Sequence, residues 1–242
     1  MVYRTDKLQS VGLQLKDWSD LWNPKLAQRI SLLNQPREVI GLTLKSMGKS
    51  YNEVEPDTIA DLESQLKLLH KQTRFYDSQN YMQPLLLGDT WVAMGWSTDV
   101  LPALAKDSRL GVVFPSSGSA LWADLWVQPV NLLADKASKT DANNSAEIVD
   151  AWLNYWWEPE VANDLSLFTS ALSVFHPESK SQDQEPANPI LGKSKQLLAT
   201  ETEDPSSALA LRLQRSEPIL PLSKRALSQY QQLWLTTRMS ES

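Results

Sequence analysis

The stretch SALWADLWVQP, Ser119–Pro129, holds an indole and an acid two positions apart, Trp122 and Asp124. Alternate residues of an extended chain point to the same side, so both side chains would face one ligand. An aromatic face attracts a cation and a carboxylate accepts its N–H donors, so the pair suits an ammonium group. The alternative is that the tryptophans here are core residues and that Asp124 caps a helix or pairs with a lysine.

Three more polar or aromatic residues follow predicted strands. Glu38 comes after RISLL, Ser78 after RFYD, and Trp96 ends TWVAMGW. In α/β sheets ligands bind at the carboxyl ends of strands, so these positions are candidate ligand contacts. Glu38 would also be the third residue of a helix that starts at Pro36, where a capping glutamate is common. A core position is the alternative for Trp96.

Hydrophobic periodicity predicts the strands and helices that position these residues. Strands are predicted at 2–4, 29–33, 73–78, 90–96 and 110–115, and helices at 36–47, 57–71, 80–87, 99–106, 145–157, 159–172 and 223–237. Strands that alternate with helices predict a predominantly parallel α/β sheet. Residues 176–207 are rich in Ser, Gln, Glu and Pro, which predicts mostly irregular structure.

Composition excludes several classes of site. A net charge of -6 gives no basic surface for nucleic acid. The absence of cysteine excludes a disulfide frame and a thiolate metal site, and two histidines, His70 and His176, argue against a histidine-rich one. We expect no cofactor, and we expect His70 to be a surface residue.

The sequence also lacks the usual signals for membranes and secretion. No run approaches the roughly 18 apolar residues that a membrane span needs. The first 15 residues lack the basic and apolar regions of a signal peptide. We therefore expect a protein that is not inserted in a membrane.

The order of several segments resembles the periplasmic substrate-binding proteins of polyamine ABC transporters, the spermidine/putrescine type. The segments are DWSDLWNPKLAQRISLL, PREV, GDTWVAMGW, VVFPSSGSALWADLWVQP and WLNYWWEPEVA. The resemblance implies an α/β, type II periplasmic-binding-protein-like fold and capture of a polyamine for an ABC-transporter permease in the periplasm. It implies no catalysis. The family's ligand contacts fall on the same five residues, Glu38, Ser78, Trp96, Trp122 and Asp124.

The chain departs from the family pattern at the site and at its start. Gln35 stands where the family usually has an aspartate, and a tyrosine expected near 171–175 has no counterpart. Losing a carboxylate from a cation site costs about 1 to 3 kcal/mol, so another cationic solute remains an alternative to spermidine. The resemblance predicts a crossover strand region at 1–12, a complete second-lobe α/β domain at 13–117, and a helical return segment of an incomplete first lobe at 118–242.

Two other functions stay open at this point. The chain could be a non-transporting lobe fragment that acts as a partner-binding or vestigial protein, with the apolar face around Trp152 and Trp156 as its contact surface. It could also be a carboxylate-based hydrolase, if Glu38 and Asp124 stood about 5 to 10 Å apart across a closed pocket.

Overall fold

The computed structural model describes residues 1–122, 125–127, 141–162 and 214–240, and only the backbone of 141–146. The chain divides into two compact units. One consists of 1–122 with 189–242, and the other is 123–188.

The larger unit is built on a five-stranded sheet. Its strands are β1 (Val2–Arg4), β2 (Ile30–Leu32), β3 (Thr73–Tyr76), β4 (Val92–Ala93) and β5 (Leu110–Val112). Their order is β3-β2-β4-β1-β5. Strand β2 pairs in parallel with β3 and β4, whereas β1 pairs antiparallel with β4 and β5. The predicted α/β sheet is confirmed, with β1 as the one reversed strand of this sheet.

Helices connect the strands, as the periodicity predicts, except that it predicts no helix at 5–10. They are α1 (Thr5–Ser10), α2 (Pro36–Ser46), α3 (Leu62–Gln72), α4 (Met82–Leu87), α5 (Ser97–Lys106), α6 (Asp141–Trp156) and α7 (Lys224–Met239), and short 3-10 helices cover Trp18–Trp22, Pro24–Leu26 and Pro56–Thr58. Helix α3 starts later than predicted, because Pro56–Thr58 forms a separate turn and Asp61 takes a left-handed φ of 64°.

Strand β2 and the helices α2, α3 and α7 form a large part of the core. All three residues of β2 are buried, and α2 is buried from Glu38 to Leu44. Helix α7 packs against α2 and α3 and buries Tyr230 and Leu233. The last helix thus packs on the core of the α/β unit, and the division at 117/118 stays a prediction.

A second, two-stranded parallel sheet leads to the candidate site. It pairs β6 (Ala120–Leu121) with β7 (Glu217–Pro218). The Glu217 carboxylate accepts hydrogen bonds from Lys45 Nζ, at 2.8 Å, and from the Ser50 hydroxyl, and Asn52 Nδ2 donates to the Pro218 carbonyl at 2.9 Å. Helix α2 and the loop after it therefore hold β7, and β7 holds β6.

In the smaller unit, α6 carries a cluster of aromatic side chains. Trp152 contacts Trp126 and Trp156 edge to face, with ring centroids 4.6 and 5.9 Å away. Trp126, Trp152 and Trp157 are exposed. The predicted amphipathic helix at 145–157 is confirmed. Most of the helix predicted at 159–172, from 163 onwards, and the whole segment 176–207 lie outside the described residues. Within the described ranges, no helix combines the length and apolar character needed to cross a membrane.

Candidate functional site

Three of the candidate residues follow adjacent parallel strands. Because β2 lies between β3 and β4, the segments that leave the three carboxyl ends meet at one edge of the sheet. Glu38, Ser78 and Trp96 are carried by these segments. The Ser78 hydroxyl oxygen accepts the Asn34 N–H at 3.0 Å, which joins the segment after β3 to the one after β2.

Glu38 lies in the first turn of α2 and is only 4% exposed. The hydroxyl of the fully buried Tyr51 lies 3.2 Å from the Glu38 carbonyl oxygen and 3.4 Å from its carboxylate Oε2. Burial raises the pKa of Glu38 to about 6, against the opposing effects of the Tyr51 hydrogen bond and the Arg37 charge. The carboxylate is therefore directed against Tyr51, and little of the Glu38 residue is open to a ligand.

Trp96 and Trp122 come together from different parts of the chain. Trp96 precedes α5, and Trp122 follows β6. Their rings meet edge to face, with centroids 5.9 Å apart and planes at 83°. Trp96 is half-buried against the core, whereas Trp122 is 48% exposed. The core alternative for Trp122 is therefore wrong.

Asp124, the acid of the W-x-D pattern, lies outside the described residues. The hydrolase alternative pairs Asp124 with Glu38. The burial of Glu38 against a tyrosine hydroxyl gives that alternative no support.

Two buried tyrosines support the site, and the sequence analysis missed both. Tyr51 contacts Glu38, and the Tyr81 hydroxyl accepts the Trp96 N–H at 3.0 Å. Each ring lies against a glycine, Gly41 in α2 and Gly95 before Trp96. A glycine inside an otherwise good helix pattern was the available signal for the first pair, because such a residue usually has a packing reason.

His70 is partly covered by a neighbouring aromatic ring. Its side chain is half-buried, its Nδ1 lies 3.1 Å from the Tyr76 hydroxyl, and the two rings stack with centroids 5.7 Å apart. Burial and the nearby Arg238 charge lower the pKa of His70. In the part of the chain that the structure describes, no three His, Asp or Glu side chains cluster as metal ligands would.

Comparison with known families decides the class of protein. The family model described as bacterial extracellular solute-binding protein matches residues 1–187. The chain belongs to this family. The family is one of binding proteins, in agreement with the prediction from the sequence.

Curated relatives of this bacterial extracellular solute-binding protein are named for polyamines. A putrescine/cadaverine-binding protein of Pseudomonas aeruginosa is 27% identical, over 74% of this chain and 52% of the relative. A spermidine/putrescine-binding periplasmic protein of Escherichia coli is 26% identical, over 65% of this chain and 49% of the relative. The chain thus spans about half the length of these two relatives.

Solved structures of low sequence identity share the fold. The spermidine/putrescine ABC transporter substrate-binding protein PotD of Streptococcus pneumoniae matches with a TM-score of 0.67 and 20% identity, over 98% of this chain and 65% of that one. The Tp0655 (TpPotD) lipoprotein of Treponema pallidum matches with a TM-score of 0.66 and 18% identity, over 99% and 66%. The predicted periplasmic-binding-protein-like α/β fold is confirmed.

Proposed function

We propose that this chain contributes to the capture of a polyamine, such as spermidine or putrescine, for uptake through an ABC-transporter permease in the periplasm. Membership of the solute-binding family and the names of the curated relatives support the solute class. The proposal includes an ABC-transporter permease as partner, which the name of the Streptococcus pneumoniae protein supports, and a periplasmic location, which the name of the Escherichia coli relative supports. The proposed role is binding without catalysis.

The contact between Trp96 and Trp122 carries the proposal. The half-exposed Trp122 presents a large apolar surface beside the carboxyl ends of the parallel strands. A polyamine alternates methylene segments with cationic nitrogens. An indole covers the first and attracts the second, so this pair of rings suits an extended alkyl cation better than a neutral or anionic solute.

The other candidate residues supply polar contacts in this proposal. Asp124 accepts N–H donors from one ammonium group. Glu38 contributes negative charge at the start of α2, and Ser78 exchanges a hydrogen bond with the ligand. Because Glu38 is buried against Tyr51, its contribution to affinity is smaller than that of Asp124.

Isothermal titration with spermidine, putrescine and a neutral diol of similar length tests the proposal. We expect saturable binding of the amines and none of the diol. Trp122→Ala is expected to weaken binding about 2- to 30-fold, because a cation–aromatic contact contributes about 0.5 to 2 kcal/mol. Trp157→Ala, which removes an exposed indole of the smaller unit, serves as the matched control. Equal heats for amine and diol would refute the proposal.

One observation favours partner binding by a non-transporting fragment as a second candidate. The described part of the smaller unit exposes Trp126, Trp152 and Trp157. Exposed aromatic surface of this kind is common at association sites. Sedimentation of the wild type and of Trp152→Ser tests this function, which predicts association that the substitution abolishes.

A further inference from the structure

Tyr81 lies beneath the backbone that carries Trp96. Its side chain is buried, and its hydroxyl accepts the Trp96 N–H at 3.0 Å and donates to Asp99 Oδ2 at 2.5 Å. Trp96 is the residue before α5, and its N–H lies outside the helical ladder. The Tyr81 hydroxyl therefore satisfies a backbone group at the position where the chain turns from β4 into α5.

The absence of a side chain at Gly95 is what permits this contact. A β-carbon at Gly95 would overlap the ring of Tyr81 and would lie 3.0 Å from its hydroxyl oxygen. Residues that place a β-carbon so close to a ring force one of the two to move. The segment Gly95–Trp96 thus lies directly on Tyr81.

Tyr81 is itself fixed to the sheet. The Ser31 hydroxyl donates to the Tyr81 carbonyl oxygen at 3.3 Å, and Ser31 belongs to the fully buried strand β2. Burial, with a smaller effect of Asp99, raises the pKa of Tyr81, so its proton stays on the hydroxyl at neutral pH. The hydroxyl can donate to Asp99 and at the same time accept from Trp96.

We propose that Tyr81 is a positioning residue that sets the Trp96 indole against Trp122. The ring fills the space above Gly95, and the hydroxyl fixes the Trp96 backbone relative to β2. The consequence for ligand affinity rests on the proposed function, whereas the position of the Trp96 ring can be measured without any ligand.

Fluorine NMR of protein labelled with 5-fluorotryptophan tests the positioning step. The Trp96 resonance is assigned from its loss in Trp96→Phe. Tyr81→Phe keeps the ring and removes both hydrogen bonds, so we expect the Trp96 resonance to shift or broaden. Tyr230→Phe is the matched control, because it also removes a buried hydroxyl, one that donates to the Glu53 carbonyl at 3.0 Å. An unchanged Trp96 resonance in Tyr81→Phe overturns the proposal.

A second variant keeps the test decisive if Tyr81→Phe does not fold. Asp99 is exposed, and Asp99→Asn weakens only the bond that the Tyr81 hydroxyl donates. We expect a smaller shift of the Trp96 resonance in the same direction. No shift in this variant counts against the proposal.

Titration with spermidine then separates positioning from general stability. We expect Tyr81→Phe to weaken binding about 3- to 10-fold, the effect of one hydrogen bond, and Tyr230→Phe to leave affinity unchanged. In a Trp96→Ala background, Tyr81→Phe should weaken binding no further, because its effect passes through Trp96. If Tyr81→Phe weakens spermidine binding as much in the Trp96→Ala background as in the wild type, the proposal is overturned. Absence of spermidine binding by the wild type, with a shifted fluorine resonance in Tyr81→Phe, refutes the proposed function and leaves the positioning role supported.

Discussion

Gly41 and Tyr51 pack so closely that a β-carbon on Gly41 would overlap the Tyr51 ring. The ring crosses the face of α2, is fully buried, and places its hydroxyl against the Glu38 carbonyl. Glycine weakens an isolated helix, but here the absence of a side chain at Gly41 allows Tyr51 to pack against the first turn of α2.

Gly41→Ala is expected to lower the free energy of unfolding by about 1 to 3 kcal/mol, because overpacking outweighs the gain in helix propensity. Urea denaturation measures the change. In a Tyr51→Leu background the same substitution should cost much less, since the ring is gone. An equal cost in both backgrounds would contradict this packing relationship.

Glu38→Gln is expected to make stability less dependent on pH. The pKa of Glu38 in the folded protein is about 6, above its ordinary value, so its contribution to stability is fully present below pH 4.5 and is lost as pH rises through 6. At pH 7 the buried charge costs about 2 kcal/mol. The free energy of unfolding of the variant, relative to that of the wild type, should therefore rise by this amount between pH 4.5 and pH 7. Urea denaturation from pH 4.5 to 7.5 measures it.

The control for that experiment is Glu63→Gln, on the exposed side of α3, where Glu63 pairs with Lys67. The difference between the free energies of unfolding of this variant and the wild type should vary by no more than about 0.5 kcal/mol across the same pH range. A Glu38→Gln difference that is equally flat would show that the buried carboxyl does not titrate as described.

Lys45→Met is expected to destabilise the protein by about 1 to 2 kcal/mol at pH 7, because it leaves Glu217 without its cation. Burial alone would raise the pKa of Glu217, but the bonds from Lys45 and Ser50 hold it below its ordinary value. The stabilisation is therefore present above pH 4.5 and is lost as pH falls through the lowered pKa.

The matched control is Lys67→Met in the exposed pair with Glu63, which we expect to cost under about 0.5 kcal/mol. Denaturation at pH 7 and pH 3.5 compares the two. Equal losses of stability in Lys45→Met and Lys67→Met at pH 7 would count against the anchoring of β7 by α2. So would a loss in Lys45→Met that is as large at pH 3.5 as at pH 7.

Asp124→Asn is expected to weaken spermidine binding about 5- to 100-fold, since it removes a charged acceptor from an ammonium contact. The affinity of the wild type should also fall as salt concentration rises. Asp89→Asn, at an exposed position after α4, is the control and should leave the calorimetric dissociation constant unchanged. Equal affinities of wild type and Asp124→Asn would remove Asp124 from the site.

Local sequence patterns predicted most elements of the larger unit, because Pro36, Gly48 and Gly88 mark helix ends and the strands are short apolar runs. They did not predict the direction of β1. Three residues, Val2–Arg4, carry no signal that distinguishes antiparallel from parallel pairing, and their partners lie far along the chain, at Val92–Ala93 and Leu110–Val112.

The same limit applies to the site. Trp122 could be chosen from its spacing to Asp124, and Trp96 from its place after a strand. Tyr51 and Tyr81 could not, because their roles depend on hydroxyl contacts with residues 13 to 18 positions away. The burial of Glu38 also follows from tertiary packing, since the sequence around it fits an exposed cap equally well.

Strand β1 also dictates the order in which this sheet can assemble. Val2 pairs with both Ala93 and Val112, so β1 is the link between β4 and β5. Val2 pairs with residues 91 and 110 positions further along the chain, which places the pairing of β1 among the slow, non-local steps of folding. Tyr3 lies opposite both Val92 and Gly111, so Tyr3→Pro, which removes a backbone donor at this position, is expected to weaken the link that β1 makes between β4 and β5.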